Sequence, residues 1–388
     1  MRCKQRATRG SNSTRNEVFS SSKYDFKGCE FRGEVMQEEF LKQTLKSLQA
    51  RLTHIHQGFY PKEILENLGK AGAYSSFLEQ KELGLKNALQ SIQEVSKVCG
   101  NTGFCVWCQN ALAWYLLHSQ NKELFAKASL GEILGGTGLS NPIKSFVKIE
   151  SIKIKATKVS KGYILNGTLP WVSNLDYGHY FGVIAKEKEN YIFGIAHCAI
   201  DKLQLQENVH FIGLEGSGTF AVVFKDYFLE DALVISHSFN LVSQKIMPGF
   251  VLMQVGIALG LLENAIEILE KFKDSKNGIN TYLSYGNLQS LAWIKQQKEM
   301  IQQEAYYLAK TPYGVNDNFF YDILRLKSKG AELLLEVAQL AMLSAGTKGY
   351  LKDSNVSKLL IESYFAAIVT PSIKHINKIL AKAKTKAT

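Results

Sequence analysis

The spacing of apolar residues changes twice along this chain, and this change constrains the fold more than any other feature. From residue 36 to residue 134, apolar residues recur at three- and four-residue steps, as on one face of an amphipathic helix. Between residues 135 and 235, short runs alternate apolar and polar side chains, which is typical of half-buried strands. Helical spacing returns over residues 236–388. The order predicts an α+β protein of several domains: an N-terminal all-α domain, a central β-barrel-like domain and a C-terminal four-helix bundle.

Within the helical parts, residues 98–117 are so apolar that the sequence predicts a helix buried on several sides. Residues 250–262 are almost continuously apolar, but this run is shorter than the 18 or so residues that a membrane span needs. Gly256 and Gly260 in this run would allow a neighbouring helix to approach closely. Further long helices are predicted at residues 288–309, 319–343 and 354–381, as in an antiparallel bundle.

The central part should hold about seven strands, by the alternation of its apolar residues. A strand is predicted at residues 147–156. Asn166-Gly167 predicts a tight turn, because this dipeptide is a strong hairpin signal. Residues 179–185 and 191–196 predict a second hairpin around residues 186–190.

Composition and charge limit what the chain can do. Hydrophobic residues make up 46% of the 388 positions, and six prolines are few, so a compact globular protein is expected. The formal charge of +11 is concentrated at the two ends, which favours a solvated surface over a nucleic-acid-binding role. Residues 1–35 are interpreted as a disordered basic extension without the apolar segment of a secretory signal. A cytoplasmic location is predicted, or the mitochondrial matrix if this extension is a transit peptide.

The six cysteines have no spacing typical of a secreted disulfide framework, which indicates a reducing compartment. Cys105 and Cys108 form a C-x-x-C, but no second pair suits zinc, and two thiols on a buried helix are the favoured interpretation. His54, His56 and His179 show no metal-ligand spacing. The sequence therefore predicts no metal site.

Three motifs in the β-domain resemble those of the acyl-CoA dehydrogenase family. They are Gly-Gly-Thr-Gly-Leu-Ser-Asn-Pro at residues 135–142, Leu-Asn-Gly-Thr-Leu-Pro-Trp-Val-Ser-Asn at 165–174, and Gly-Leu-Glu-Gly-Ser-Gly-Thr-Phe at 213–220. Their order, spacing and flanks agree with the family from about Leu41 to His375. The resemblance implies the acyl-CoA dehydrogenase fold, FAD as cofactor and an acyl-CoA as substrate.

The resemblance also implies positions for the site. Trp171 would pack against the flavin, Ser173 would hydrogen-bond near the atom that receives hydride, and Ser145 would touch the acyl-CoA. Gly346 lies in a segment similar to the family's Gly-Gly-x-Gly-Tyr loop, where bare backbone can approach a phosphate. The full set of implied cofactor-binding residues is Leu139, Ser140, Trp171, Val172, Ser173 and Gly346.

Several positions depart from the family's pattern. Glu215 stands where the third motif usually has Arg, and residues 271–289 contain no clear Arg-x-Phe-Gly segment. The family removes the substrate's α-proton with a glutamate near the end of the chain, where this sequence has Thr370-Pro371. A second family position for that glutamate, within residues 247–253, also lacks an acid. Glu263 and Glu362 are nearby but are equally explained by helix-surface salt bridges, so the catalytic residue stays unknown.

The leading hypothesis is α,β-dehydrogenation of an acyl-CoA or related thioester by a FAD-dependent enzyme. The missing glutamate leaves two alternatives: a flavin-dependent monooxygenase of the same fold, or a degenerate member that binds flavin, acyl-CoA or nucleic acid without turnover. The resemblance implies a homodimer or homotetramer. The electron acceptor stays open.

Overall fold

The computed structural model describes residues 30–79, 83–199, 202–207, 210–273, 290–310 and 317–387. The helices are α1 (Glu30–Ala50), α2 (Leu52–His56), α3 (Lys62–Lys70), α4 (Ser76–Glu79), α5 (Gly84–Val98), α6 (Gly100–Leu117), α7 (Lys122–Ser129), α8 (Ser140–Phe146), α9 (Phe239–Leu252), α10 (Val255–Lys273), α11 (Leu291–Ala309), α12 (Asp317–Ala345), α13 (Asn355–Ile368) and α14 (Ile373–Ala387). The strands are β1 (Gly135–Thr137), β2 (Ile154–Val159), β3 (Gly162–Val172), β4 (Tyr180–Glu187), β5 (Asn190–His197), β6 (Leu203–Glu207), β7 (Phe220–Glu230) and β8 (Val234–Ser236). The predicted order of helices, strands and helices is confirmed.

The predicted basic extension falls mostly outside the described residues, of which the first is Glu30 at the start of α1. Helix α6 is buried along almost its whole length, from Gly100 to Leu116, as its apolar composition predicts. It lies between the N-terminal helices, the sheet and the C-terminal helices, so its side chains can reach a site formed where all three meet.

The C-terminal helices α10 to α13 pack together, with α10 also lying along α5. A Cβ at Gly260 would lie 2.3 Å from the Gln93 carbonyl oxygen of α5, and one at Gly256 would lie 2.8 Å from that of Leu89. The two glycines therefore permit the close helix approach that the sequence predicts. The helix expected over residues 354–381 is two helices, because Pro371 has no N–H to continue the hydrogen-bond ladder.

Two stretches of the described chain, Phe239–Phe272 and Asn355–Ala383, are long and apolar enough to cross a membrane by length and composition alone. In the first stretch, 89% of the most apolar window is buried inside the fold, which is the position of a core helix. Each stretch also contains a break, between α9 and α10 in the first and between α13 and α14 in the second.

The strands form one mixed sheet in the order β6-β7-β3-β2-β4-β5-β8, with β1 paired in parallel to β4. Phe181 on β4 and Phe224 on β7 would be about 14 Å apart in a flat sheet, because three strand spacings of about 4.8 Å separate them. Their ring centroids are only 6.1 Å apart. The sheet therefore curls around an apolar core of its own, separate from the helical core, as the β-barrel-like prediction requires.

Two local predictions in the sheet are wrong and one is confirmed. Strand β2 begins at Ile154, since the residues after α8 first form turns and an extended connection. Asn166-Gly167 lies inside β3 at a shift in the β3–β7 register, where Gly167 has φ +135°, and the turn from β2 to β3 instead contains Lys161 at φ +62°. Gly167 thus forms a bulge and not a hairpin turn. The second hairpin pairs β4 with β5 as predicted.

Candidate functional site

A cleft of about 350 Å³ opens where α6, the sheet and the C-terminal helices meet. It receives residues from each of the three sequence motifs. Its walls are Phe104, Trp107, Cys108, Thr137, Ser140, Lys144, Trp171, Ser173, Phe211, Gly213, Leu214, Ser217, Thr219, Phe250, Phe365, Ile368, Val369 and Thr370.

Aromatic rings form one wall of the cleft. Phe104 and Trp107 are three residues apart on α6, so they share a face, and their rings stack with centroids 5.5 Å apart. Phe250 of α9 packs against Trp107 at 5.1 Å, and Phe365 of α13 meets Phe104 edge-on at 4.5 Å. Such offset and edge-to-face pairs fix ring positions, so this wall is rigid and apolar.

Trp171 stands at the mouth of the cleft, near the end of β3. Half of its residue surface is exposed (50%), which is unusual for so large an apolar side chain. Phe211 meets it edge-on at 6.5 Å, and the Lys144 ammonium lies 5.7 Å from the ring centroid, within cation–π range. Lys144 comes one helical turn after Ser140 on α8, so both side chains face the cleft.

Backbone contacts bring the three motifs side by side. Thr137 of the first motif forms an isolated bridge with Ser173 of the second. A Cβ at Gly136 would lie 2.2 Å from the Ser173 carbonyl oxygen, so only glycine fits there. The N–H of Asn174 donates to the carbonyl of Ser217, in the third motif, at 2.8 Å. The three motifs, which are separated along the chain, are therefore adjacent in space.

Hydroxyl groups supply the polar side of the cleft. Ser140 Oγ and Thr370 Oγ1 are 2.9 Å apart, and Thr219 Oγ1 lies 2.7 Å from Ser173 Oγ and 2.8 Å from Ser217 Oγ. A hydroxyl has one proton to donate. Ser140 and Thr370 form a hydroxyl pair, in which one of the two protons is used between them. Ser173, Thr219 and Ser217 form a three-hydroxyl chain, in which two of the three protons are used. The pair and the chain therefore each keep one proton for a ligand.

Several residues implied by the resemblance lie elsewhere. The side chains of Leu139 and Val172 are 0% exposed and point into the two apolar cores, so only their backbone could serve a ligand. Gly346 lies in an exposed turn after α12 at φ +56°, outside the cleft. Ser145 is half-buried in the last turn of α8, where its carbonyl accepts from the Lys148 N–H, and it does not line the cleft. The structure thus brings Ser140, Trp171 and Ser173 together, but not these four.

No carboxylate or histidine belongs to the cleft wall among the described residues, and Lys144 is its one charged side chain. The two glutamates near the family's position for the base have other partners. Glu263 accepts from Gln93 Nε2 at 2.6 Å and is paired with Lys298, while Glu362 is buried and accepts from the N–H groups of α6. The interpretation of Glu362 as part of a helix-surface salt bridge is therefore wrong.

Glu215, at the position where the resemblance implies an arginine, has a local role. Its carboxylate accepts from the backbone N–H of Phe211 and lies 2.9 Å from His210 Nδ1. These contacts hold the segment that carries Phe211 against the cleft. The segment around residues 271–289 lies largely outside the described residues, so its comparison with the family's Arg-x-Phe-Gly stays a prediction.

The break between α13 and α14 places Thr370 in the cleft, and two buried side chains hold it there. Lys327 Nζ donates to the Val369 carbonyl at 2.8 Å and to the Pro371 carbonyl at 2.5 Å, and Gln254 Nε2 donates to the Thr370 carbonyl at 3.0 Å. Burial holds the pKa of Lys327 well below its usual range. These donors satisfy three carbonyls that the helix break leaves without helical partners.

Sequence reasoning did not assign the α6 aromatics, Lys144 or Lys327 to the site. The α6 aromatics and Lys144 could have been found from spacing: Phe104 and Trp107 share a helix face, and Lys144 follows Ser140 by four residues. Lys327 carried no such signal, because a lysine in a helix is normally exposed.

No protein-family model matches the chain. It is 22% identical over 354 residues to the short-chain specific acyl-CoA dehydrogenase of Clostridium acetobutylicum, covering 86% of this chain and 92% of that protein. It is 23% identical over 176 residues to the oxygenase subunit HsaA of a flavin-dependent monooxygenase from Mycobacterium tuberculosis, covering 44% of this chain and 42% of that one.

Among solved structures, butyryl-CoA dehydrogenase from Megasphaera elsdenii superposes with a TM-score of 0.76 at 17% identity, covering 94% of this chain and 100% of that chain. Glutaryl-coenzyme A dehydrogenase in complex with glutaryl-CoA gives 0.75 at 15% identity, covering 90% and 95%.

Proposed function

Because the chain is a member of the acyl-CoA dehydrogenase family by sequence and by fold, we propose that it is a FAD-dependent oxidoreductase whose cleft holds the flavin ring. The observation that carries this proposal is the convergence of Ser140, Trp171 and Ser173 on one cleft with an aromatic wall. When bound, FAD supplies the electron sink for hydride removal.

The residues of the cleft fit such a ring. A flat aromatic heterocycle needs an apolar surface against its face and hydrogen-bond partners at its polar edge. Trp171 is half-exposed, and Ser140 and Ser173 belong to the hydroxyl pair and the three-hydroxyl chain, each of which keeps one spare proton. The cleft volume of about 350 Å³ is within the range of small-molecule sites.

The proposed substrate is an acyl-CoA or a related thioester, and the proposed reaction is its α,β-dehydrogenation. This reaction requires removal of a proton from the α-carbon. Among the described residues, the cleft wall offers hydroxyls and the Lys144 ammonium, neither of which accepts a proton as a carboxylate does, so the α-proton would have to pass to a group or solvent molecule beyond this wall.

The lack of a carboxylate in the described cleft wall favours a second candidate, a flavin-dependent monooxygenase. Oxygen chemistry of this type depends on a dry pocket and not on a carboxylate at the α-carbon. The apolar wall of Phe104, Trp107, Phe250 and Phe365 would exclude water, and HsaA, one of the similar proteins, is the oxygenase subunit of such an enzyme.

Two measurements test the proposal. Purified protein should be yellow, and heat denaturation should release FAD that chromatography identifies; colourless protein that does not take up added FAD would refute the flavin site. Straight-chain acyl-CoA thioesters should then be mixed with the holoprotein under anaerobic conditions. Bleaching by thioester alone supports dehydrogenation, whereas bleaching only by a supplied nicotinamide reductant, followed by reoxidation with oxygen, supports the monooxygenase.

We further propose that the protein is a homodimer or homotetramer, as the family resemblance implies. We also propose that it lies in the cytoplasm. For the dehydrogenase, an electron-transferring flavoprotein is a candidate acceptor: a chain of this fold, superposing with a TM-score of 0.75 at 17% identity, comes from a solved structure described as the electron transferring flavoprotein of Acidaminococcus fermentans. Mixing the reduced protein with such a partner and following its flavin spectrum would test this.

A further inference from the structure

A second cluster of reactive side chains lies outside the cleft, where α2, α6 and α13 meet. His56, Cys99 and Glu362 each direct a potential ligand atom to this point, and the three atoms lie within 4.8 Å of one another. They come from positions separated by 43 and 263 residues along the chain, so the fold and not local sequence brings them together.

We propose that His56, Cys99 and Glu362 bind a divalent cation of the zinc class. An imidazole nitrogen, a thiolate and a carboxylate oxygen form a donor set that zinc and similar borderline cations accept, whereas calcium and magnesium prefer oxygen alone. Three protein ligands leave a fourth tetrahedral position open. When the ion binds, the Cys99 S–H proton would pass to solvent and a sulfur–metal bond would form.

The contacts around the cluster leave capacity for an ion. Glu362 accepts from the N–H groups of Gly100 at 3.2 Å and Asn101 at 3.0 Å, and His56 Nε2 lies 3.3 Å from it. A carboxylate has about four acceptor sites, so one remains. Among the described residues, His56 Nδ1 is buried without a hydrogen-bond partner, so the polar contacts of this ring are confined to the cluster, through Nε2.

The cluster has an entry path, and its own two acidic ligands can balance the charge of a divalent ion. A cavity of about 180 Å³ is lined by His56 and Glu362, so an ion could reach them from outside. Lys97 at its wall is paired with Glu267 at 2.6 Å, while Lys271 and Lys358 at the same wall are further cations that an incoming ion would meet. The Glu362 carboxylate and a Cys99 thiolate would together neutralise a divalent cation, which offsets the unfavourable positive end of α6.

Binding would connect three parts of the fold. His56 ends α2, Cys99 is the N-cap of α6, whose side chain accepts from Thr102 N–H, and Glu362 belongs to α13. Helix α6 carries the aromatic wall of the cleft, and α13 leads directly to Thr370. An ion here would therefore fix the two helices that define the cleft without contacting its ligand.

Cobalt absorption tests the site. Untagged holoprotein with Cys3→Ser and Cys29→Ser, which remove two thiols distant in sequence from the site, is titrated with Co²⁺. We expect one Co²⁺ per chain, a thiolate-to-cobalt band in the near ultraviolet difference spectrum, and ligand-field bands in the red, beyond flavin absorption. Competition with Zn²⁺ should erase these bands.

Matched variants identify the ligands. Cys99→Ser keeps an N-cap oxygen on α6, so it should fold, yet it should lose the thiolate band. Cys198→Ser removes another buried free thiol and should keep the band. His56→Gln should weaken Co²⁺ binding at least tenfold. Absence of the band in the unmodified site, its persistence in Cys99→Ser, or unchanged affinity in His56→Gln would each overturn the proposal.

Discussion

The hydroxyl groups of Ser140 and Thr370 are 2.9 Å apart, although 230 positions separate them in sequence. Ser140 belongs to the motif that begins the β-domain, and Thr370 stands where the resemblance to the acyl-CoA dehydrogenase family implies a catalytic glutamate. Their contact shows that the helix break around Pro371 delivers residue 370 to the cleft. At this position the cleft wall therefore carries a hydroxyl and not a carboxylate.

Replacement of Thr370 with Glu should restore the family's general base. A carboxylate there would face the cleft, and a positioned base contributes about 10²- to 10⁴-fold to proton transfer. We expect anaerobic bleaching of bound flavin by straight-chain acyl-CoAs to accelerate by about 100-fold or more over the wild type. Thr370→Gln, with similar size and no basic carboxylate, should not accelerate. Equal rates in Glu and Gln variants that both retain flavin would contradict this role of the position.

Trp171→Ala should weaken flavin binding without unfolding the protein. The lost ring contact is worth about 0.5–1.5 kcal/mol beyond the buried area, so the dissociation constant of FAD should rise about tenfold or more. The melting temperature of the apoprotein should change little, because half of the residue surface is already exposed. Trp171→Phe keeps a ring and should bind within a fewfold of the wild type. FAD affinity is measured by fluorescence quenching during FAD titration. Unchanged affinity in Trp171→Ala would show that Trp171 does not contribute to flavin binding.

The architecture could be predicted because the period of apolar residues differs between helices and strands over long segments. Ser140 and Ser173 were named because the motifs that contain them resemble those of the acyl-CoA dehydrogenase family, and the structure brings both side chains to one cleft. Asn166-Gly167 misled the prediction because β7 pairs along both sides of it and turns a hairpin signal into a bulge. Tertiary pairing overrode local preference there.

Contacts between distant segments could not be predicted from the sequence. Glu362 has the spacing of an exposed helix residue, but the N-terminus of α6 approaches it and buries it. Lys327 is likewise recognised only once the helix break places carbonyls beside it. Both are polar groups whose partners lie 42 or more positions away.

Lys327→Met should destabilise the protein and disturb the cleft. The substitution leaves the carbonyls of Val369 and Pro371 without this donor, at a cost of about 2–4 kcal/mol in the free energy of unfolding. FAD affinity should also fall, because Thr370 lies between these two carbonyls. The matched control is Lys329→Met on the exposed face of α12, expected within about 0.5 kcal/mol of the wild type. Urea unfolding measures both, and equal stability of the two variants would show that Lys327 does not hold this segment.

His118 should make the protein less stable in acid. Burial, together with Lys245 and Lys122, lowers the pKa of His118 to about 4, whereas an unfolded histidine has a pKa near 6.5. Between these values the unfolded chain binds a proton that the folded chain does not, so the free energy of unfolding falls as pH falls through this window. His118→Gln should remove this part of the dependence and gain about 1–2 kcal/mol relative to the wild type between pH 7 and pH 5 in urea unfolding. The exposed His54→Gln should follow the wild type, and parallel curves for His118→Gln and the wild type would refute the assignment.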